Sequence, residues 1–229
     1  MLEEHLAGAS TLAISPLPLS LKMHLPFLST EYRAATQALL WTNDPSLSPG
    51  KKSKSAPSTI RRFMYPNFET NPDLPAAPGE PGLLLCGRTE PVFDSKPWSL
   101  FIRVIDDGTT LKRWTYAGEY TCALVGHLSA SAFKAQPSAV KQTWGKKIAF
   151  HKKHPAYRDM RVRMTLRKHG QAINEESMKK EREKVGKTKK GDEGRLSIQD
   201  VVEAFERGDE VSWVPFLSAC SISHDANYG

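Results

Sequence analysis

Cysteine is scarce in this chain. Cys86, Cys122 and Cys220 are odd in number, far apart and without a C-x-x-C pair. That excludes a disulfide framework and a zinc ribbon, and it fits a reducing compartment. Long apolar runs are also missing. The stretch from Leu12 to Leu28 is broken by Pro16, Pro18 and Pro26, and Glu3 and Glu4 stand where a secretory signal needs positive charge. No window reaches the roughly 20 uninterrupted apolar residues of a membrane span. The glycine-rich phosphate and dinucleotide loops, the H-E-x-x-H zinc motif and the G-x-S-x-G elbow are all absent, so the common catalytic classes have no starting point. The expectation is an intracellular protein, nuclear or cytoplasmic, that meets no membrane and uses no cofactor or small-molecule ligand.

Proline is scarce only in part of the chain: 12 of the 16 prolines lie in the first 91 residues. The sequence therefore predicts an N-terminal segment over 1–40 with a short helix from Thr30 to Leu40, a linker over 41–82 rich in Pro, Gly and Ser, and a globular domain over 83–229. The linker shows no sustained period and too little apolar surface to offset its ordering entropy.

Within the domain, Leu100, Ile102 and Val104 alternate with Phe101, Arg103 and Ile105; the turn residues Asp106-Asp107-Gly108 follow, then a second alternating run from Leu111 to Val125. This predicts a central hairpin. A strict period of two places Trp114, Tyr116, Tyr120 and Cys122 on one face of the second strand. Ser129 and Ser138 read as helix caps, and Val140, Trp144 and Ile148 form a helical seam on a helix from about Ala139 to Phe150. From Met160 to Leu166 apolar residues alternate with Arg161, Arg163 and Thr165, which favours a strand, although Met160 with Met164 also fits a helix. Asn174-Glu175-Glu176 opens a helix-like stretch, polar all round, with Glu175 and Glu176 four residues ahead of Lys179 and Lys180, and a charged, glycine-punctuated loop is expected near 179–194. Ser197 with Asp200 forms a capping box ahead of Ile198, Val201, Val202 and Phe205, and Gly208 stops that helix. Val211 to Ser221 closes the domain as a strand, with Pro215 suggesting a sheet edge. The fold class is α+β: a small mixed sheet with a central hairpin, two to four helices on it, and a largely disordered Pro-rich region before it.

Trp114-x-Tyr116-x-Gly118-x-Tyr120, the helix bearing Trp144, and Val201-Val202-x-Ala204-Phe205-x-x-Gly208 together resemble an uncharacterised domain of mushroom-forming fungi, over roughly residues 95–229. The resemblance implies a fungal origin and an α+β domain. It implies no activity, and Lys179 to Gly194 stands out against it as a charged insertion.

Charge is the strongest signal. The chain carries 32 Lys+Arg and 25 Asp+Glu, net +7. From Lys141 to Gly191 there are 17 basic and 5 acidic residues, a net of +12, which leaves −5 for the rest. On a strand, Arg161, Arg163 and Arg167 would line one face about 7 Å apart, near the spacing of successive phosphates, with Lys146, Lys147, Lys152 and Lys153 extending the track. Trp114, Tyr116 and Tyr120 could act as base-stacking platforms, but core packing is the better account of aromatics at a period of two on a hairpin. The leading expectation is a non-enzymatic binding module for a polyanion such as nucleic acid or chromatin. The alternative is an interaction domain for an acidic protein, and an enzyme is the third reading.

Metal binding has only the pairs His151/His154 and Cys220/His224, with no further ligands near them, so no metal is expected. Cys122 with His127 lacks an orienting third group. Lys51-Lys52-x-Lys54 with Arg61-Arg62, and Lys179-Lys180 with Lys189-Lys190, have the spacing of nuclear import signals.

Overall fold

The computed structural model describes residues 11–13, 22–24, 26–27, 30, 39–43, 60–87, 92, 96–105, 112–150, 155–187, 196–210 and 212–220. The strands are β1 (Lys22–His24), β2 (Leu40–Asn43), β3 (Arg61–Met64), β4 (Gly82–Leu83), β5 (Trp98–Ile105), β6 (Lys112–His127) and β7 (Trp213–Ala219). The helices are α1 (Ala130–Lys134), α2 (Ser138–Phe150), α3 (Pro155–Lys168), α4 (Glu175–Lys187) and α5 (Ile198–Arg207). The fold is α+β, as expected, but it divides into two compact units. One lies within Leu85–Thr89 and Gly126–Val214 and holds the helices; the other lies within Leu2–Leu84, Glu90–Val125 and Pro215–Gly229 and holds the sheet.

In the sheet unit the strand order is β2-β3-β5-β6-β7-β4, with β1 paired to β6. β3 and β5 run parallel and β5 and β6 form the antiparallel hairpin. The hairpin's turn residues, 106–108, lie outside the described residues. The single-domain boundary at residue 83 does not hold, because β2, β3 and β4 belong to the sheet.

Nor is the stretch from Ile60 to Gly82 a linker. Pro66, Leu74, Pro75 and Gly79 are buried. The loop bonds to itself and to the sheet: Glu80 Oε2 accepts from the Ala76 and Ala77 N–H groups, and the Leu83 N–H donates to Asp73 O at 2.7 Å. The Tyr120 hydroxyl accepts from the Gly79 N–H at 3.2 Å and donates to Glu80 O at 2.9 Å. A proline-rich segment shows no period, but it orders when a distant side chain satisfies its backbone. Residues 44–59 and the expected helix at 31–38 lie outside the described residues, and Leu40 opens β2 rather than ending a helix.

Strand β6 does not keep one face. Leu100 pairs with Gly118 but Phe101 pairs with Tyr116, so Ala117 is an extra residue and the register shifts there. This bulge uses Gly118 at φ 121°, a backbone conformation that favours glycine. The shift puts Trp114 and Tyr116 on the face of Phe101, and Tyr120 on the opposite face with Leu100 and Trp98. The reading that put Trp114, Tyr116, Tyr120 and Cys122 on one face fails for that reason. β7 exists as expected but lies between β6 and β4, so Pro215 is not at an edge; its carbonyl accepts from the Leu84 N–H at 2.9 Å.

In the helical unit, α5 follows its sequence signals closely. Ser197 caps it, the Ser197–Asp200 capping box is complete, and Gly208 ends it at φ 79°. Burial would raise the Asp200 carboxyl, but bonds from the Ser197 N–H and Lys168 outweigh that and hold it below its ordinary range. α2 lies against α5, and a Cβ on Gly145 would stand 2.7 Å from Ile198 Cγ2. Gly145 therefore sets how closely these two helices approach.

The segment 160–166 is helix, not strand. Met160, Arg161, Val162, Met164, Thr165 and Leu166 are all buried, because α2, α4 and α5 pack around α3. A helix enclosed on several sides loses its 3.6-residue polar stripe, and the residue pattern then imitates a period of two. The charged stretch from 179 to 187 is likewise helical rather than loop. Asn174 Oδ1 accepts from the Ser177 N–H at 2.9 Å at its start, and Arg182 pairs with Asp159 of α3 at 2.8 Å. Residues 188–195 lie outside the described residues.

Candidate polyanion interface

Because 155–168 is helical, Arg163 and Arg167 stand one turn apart on the same side of α3. Both reach Glu210, which lies just after Gly208 and is nearly fully buried, its side chain 2% exposed. Arg163 grips it through Nε and Nη2, the latter at 2.6 Å, and Arg167 through Nη1 at 2.6 Å. Arg161 is buried and donates to Ile148 O at 2.7 Å, one of the last carbonyls of α2. The three arginines expected to form a row of phosphate contacts are thus turned to different structural tasks: Arg161 closes a helix C-terminus, and the other two clamp a buried carboxylate.

The same holds for other cations of the basic segment. Lys141 pairs with Glu206 at 3.0 Å and Lys168 with Asp200 at 2.9 Å. The acids that balance them lie in and just after α5, beyond the basic segment. Sequence counting missed Glu210, Asp200 and Glu206 as partners because they are 32 to 65 residues from their cations. Lys146 is exposed and Lys147 half-buried on α2, and Lys152 and Lys153 lie outside the described residues. Lys179 and Lys180 are exposed on α4.

Of the stacking candidates, Tyr120 is fully buried with its hydroxyl in the Gly79–Glu80 loop, Trp114 is buried, and Tyr116 is half-buried. The Tyr116 hydroxyl donates to Glu119 Oε1 at 2.7 Å, and Ser99 Oγ donates to the same oxygen at 2.6 Å. Tyr116 and Glu119 are three apart, and they share a face only because of the bulge. Burial raises the Tyr120 phenol to about 12, and it also pushes Tyr65 and Tyr116 well above their usual range, with Glu119 adding to the effect at Tyr116.

All three shifts favour the neutral phenol. The stabilising contribution of Tyr120 is complete below the ordinary value of 10 and is lost as pH rises from there through about 12, and those of Tyr65 and Tyr116 persist to higher pH. In an absorbance titration at 295 nm, three of the six tyrosines should resist ionisation until the sheet unit opens, well above the ordinary value of 10. Six tyrosines titrating together near pH 10 would contradict this.

Cys122 is buried and His127 exposed. Burial raises the Cys220 thiol, and the nearby Glu119 adds to it, so its thiolate is disfavoured. His151, His154 and His224 lie outside the described residues. Among the described residues no group of three His, Cys, Asp or Glu side chains is placed to hold a metal. No described helix is long and apolar enough to cross a membrane. Arg61 and Arg62, read as half of an import signal, are half-buried in β3; Arg62 donates to Lys96 O at 3.0 Å and its guanidinium lies 3.9 Å over the Trp98 ring.

No curated protein and no solved structure matches the chain. The model of one family, a domain of unknown function designated DUF6697, matches residues 23–220, which extends the likeness well upstream of residue 95 and takes in every strand of the sheet. The chain belongs to that family.

Proposed function

We propose that the protein is a non-enzymatic binding module whose helical unit engages a polyanion, nucleic acid in the first instance, through lysines that stand outside its ion pairs. The observation that supports this is the character of α2: thirteen residues without an acidic one, on which Lys146 is exposed. On α4, Lys179 and Lys180 add two more exposed cations that have no ion-pair partner among the described residues. Arg163 and Arg167 are assigned to the fold, so the interface is a lysine surface rather than an arginine row. Lysines of this kind attract phosphate as point charges and read no sequence.

Affinity for a short DNA duplex should fall steeply as salt rises from about 50 to about 200 mM. The triple variant K146E/K179E/K180E should flatten the slope of log K against log salt by about 2 to 3. Its melting temperature should not change, since these side chains are exposed. An unchanged slope overturns the reading. Preference for polyglutamate over DNA at equal charge would move the same surface to an acidic protein.

A further inference from the structure

The outer strands of the sheet are finished in different ways. A strand at a sheet edge presents unpaired N–H and C=O groups, and proteins blunt it with charge, proline, shortness or a covering loop. β4, at one end of the strand order, is two residues long, and its Leu83 N–H is taken by Asp73 O at 2.7 Å. Pro75 lies so close to Gly82 that a side chain there would overlap it. β1 is three residues long and carries Lys22. β2, at the other end of the strand order, has none of these devices: Leu40-Trp41-Thr42-Asn43 holds no charge, no proline and no bulge against β3.

The register shows which groups the edge offers. The Tyr65 N–H donates to Leu39 O at 2.8 Å, and the antiparallel ladder then sets Leu40 opposite Met64, Trp41 opposite Phe63 and Thr42 opposite Arg62. Bonded and non-bonded pairs alternate in such a ladder. Leu39 and Trp41 therefore turn their backbone groups toward β3, whereas Leu40 and Thr42 turn theirs outward. Among the described residues nothing bonds to those outward groups. Trp41 stands on the face of Phe63, packed against the aromatic cluster on one side and half-buried as a whole.

We infer that the β2 edge is a self-association surface, through which two copies of this chain join their sheets as a two-fold antiparallel dimer centred on Trp41. With Trp41 opposite its own copy, Leu40 of one protomer faces Thr42 of its partner and the two exchange both bonds; the symmetry supplies the second such pair. A shift of one residue sets the outward groups against backbone already bonded to β3, so this register is the self-complementary one. Trp41 falls at the non-bonded position, where side chains across the strands stand closest, and each indole covers the open part of the other. The segment is uncharged, so pairing brings no like charges of β2 together. Four residues and one indole bury far less than the roughly 1,600 Å² of a standard stable interface. The dimer is accordingly weak, with a dissociation constant on the order of tens of micromolar. It is independent of the lysine surface proposed above.

Sedimentation of the full chain from about 5 to about 500 μM tests this. The mean mass should rise from the 25.5 kDa of one chain toward twice that value and stop there, with little dependence on salt. Over the same range the Leu40 and Thr42 amides should gain protection from hydrogen exchange, while the Trp41 amide, which faces β3, should not change. Thr42→Pro removes an outward N–H that the monomer does not use; it should weaken the dimer at least about tenfold with the melting temperature nearly unchanged. Thr42→Lys places a charge on the edge and should do the same, so it decides the matter if the proline variant does not fold. A monomer at every concentration, a mass that grows past two chains, or a folded Thr42 variant that still pairs as tightly would each overturn the inference. Full protection of Leu40 and Thr42 in dilute solution would overturn it too, because the edge would then be covered within one chain.

Discussion

Glu210→Ala should destabilise the helical unit by about 3 kcal/mol, because it leaves two guanidiniums facing a site built for a carboxylate. The Glu210 side chain is 2% exposed, while those of Arg163 and Arg167 are 32% and 35% exposed. The anion is the buried partner, and it is held by three side-chain bonds at or below 3.0 Å. Removing the arginines singly is milder, since each leaves the other on Glu210.

Urea unfolding should show this order: Glu210→Ala worst, Arg163→Met and Arg167→Met each less, and the triple variant recovering part of the loss because no buried charge remains unpaired. A loss below about 1 kcal/mol for Glu210→Ala would mean that the clamp behaves as a surface pair. The same measurement separates folding from binding. Charge reversal at Arg163 should unfold the unit before it affects any polyanion, whereas reversal at Lys179 should do the opposite.

Phe205→Ala should cost about 4 kcal/mol, the largest single loss expected of a side chain in the helical core. Phe205 is 1% exposed, lies 5.0 Å from Phe133 in a stacked arrangement, and meets Trp144 edge-on at 6.3 Å. It thereby joins α1, α2 and α5. Rings lose both transfer free energy and mutual contact when truncated, and the rigid helices around this one collapse poorly into the space left. The midpoint of urea unfolding measures the loss, and Trp144 fluorescence should shift to the red in the folded variant. A cost near 1 kcal/mol, with Trp144 unmoved, would show that Phe133 takes over the space.

Local signals were legible wherever both partners of an interaction sit within one element. The hairpin of β5 and β6 follows from alternation, because one face of each strand at a time is buried. α5 is read from its own residues: Ser197 and Asp200 cap each other across three positions, and Gly208 accepts a left-handed backbone that other residues resist. The bulge at Ala117 was not legible, since Gly118 fits equally well as a gap between rings. α3 was misread because its neighbours bury it on several sides.

The candidate site illustrates the same division. Composition concentrates the positive charge on residues 141–191, and it says nothing about where each charge ends. Arg163 and Arg167 are spent on a glutamate more than 40 residues away, and Arg161 on a carbonyl 13 residues back. A count over a window treats such cations as available when their partners lie outside it. Lys146 of α2 and Lys179 and Lys180 of α4 remain as exposed charge, and they were the less conspicuous residues in the sequence.

By itself, then, the sequence determined the α+β class, the hairpin, the capped last helix and the segment that carries the charge. These rest on interactions that span a few residues, which periodicity and capping residues report directly. Only the tertiary structure decided that the Ile60–Gly82 segment belongs to the sheet unit, that 160–166 is helix, which face each aromatic of β6 occupies, and which cations are consumed. Each of those depends on a partner far along the chain, such as Tyr120 for the proline-rich loop or Glu210 for the arginines, and a buried group takes the conformation that satisfies its polar atoms, whatever its neighbours in sequence would prefer.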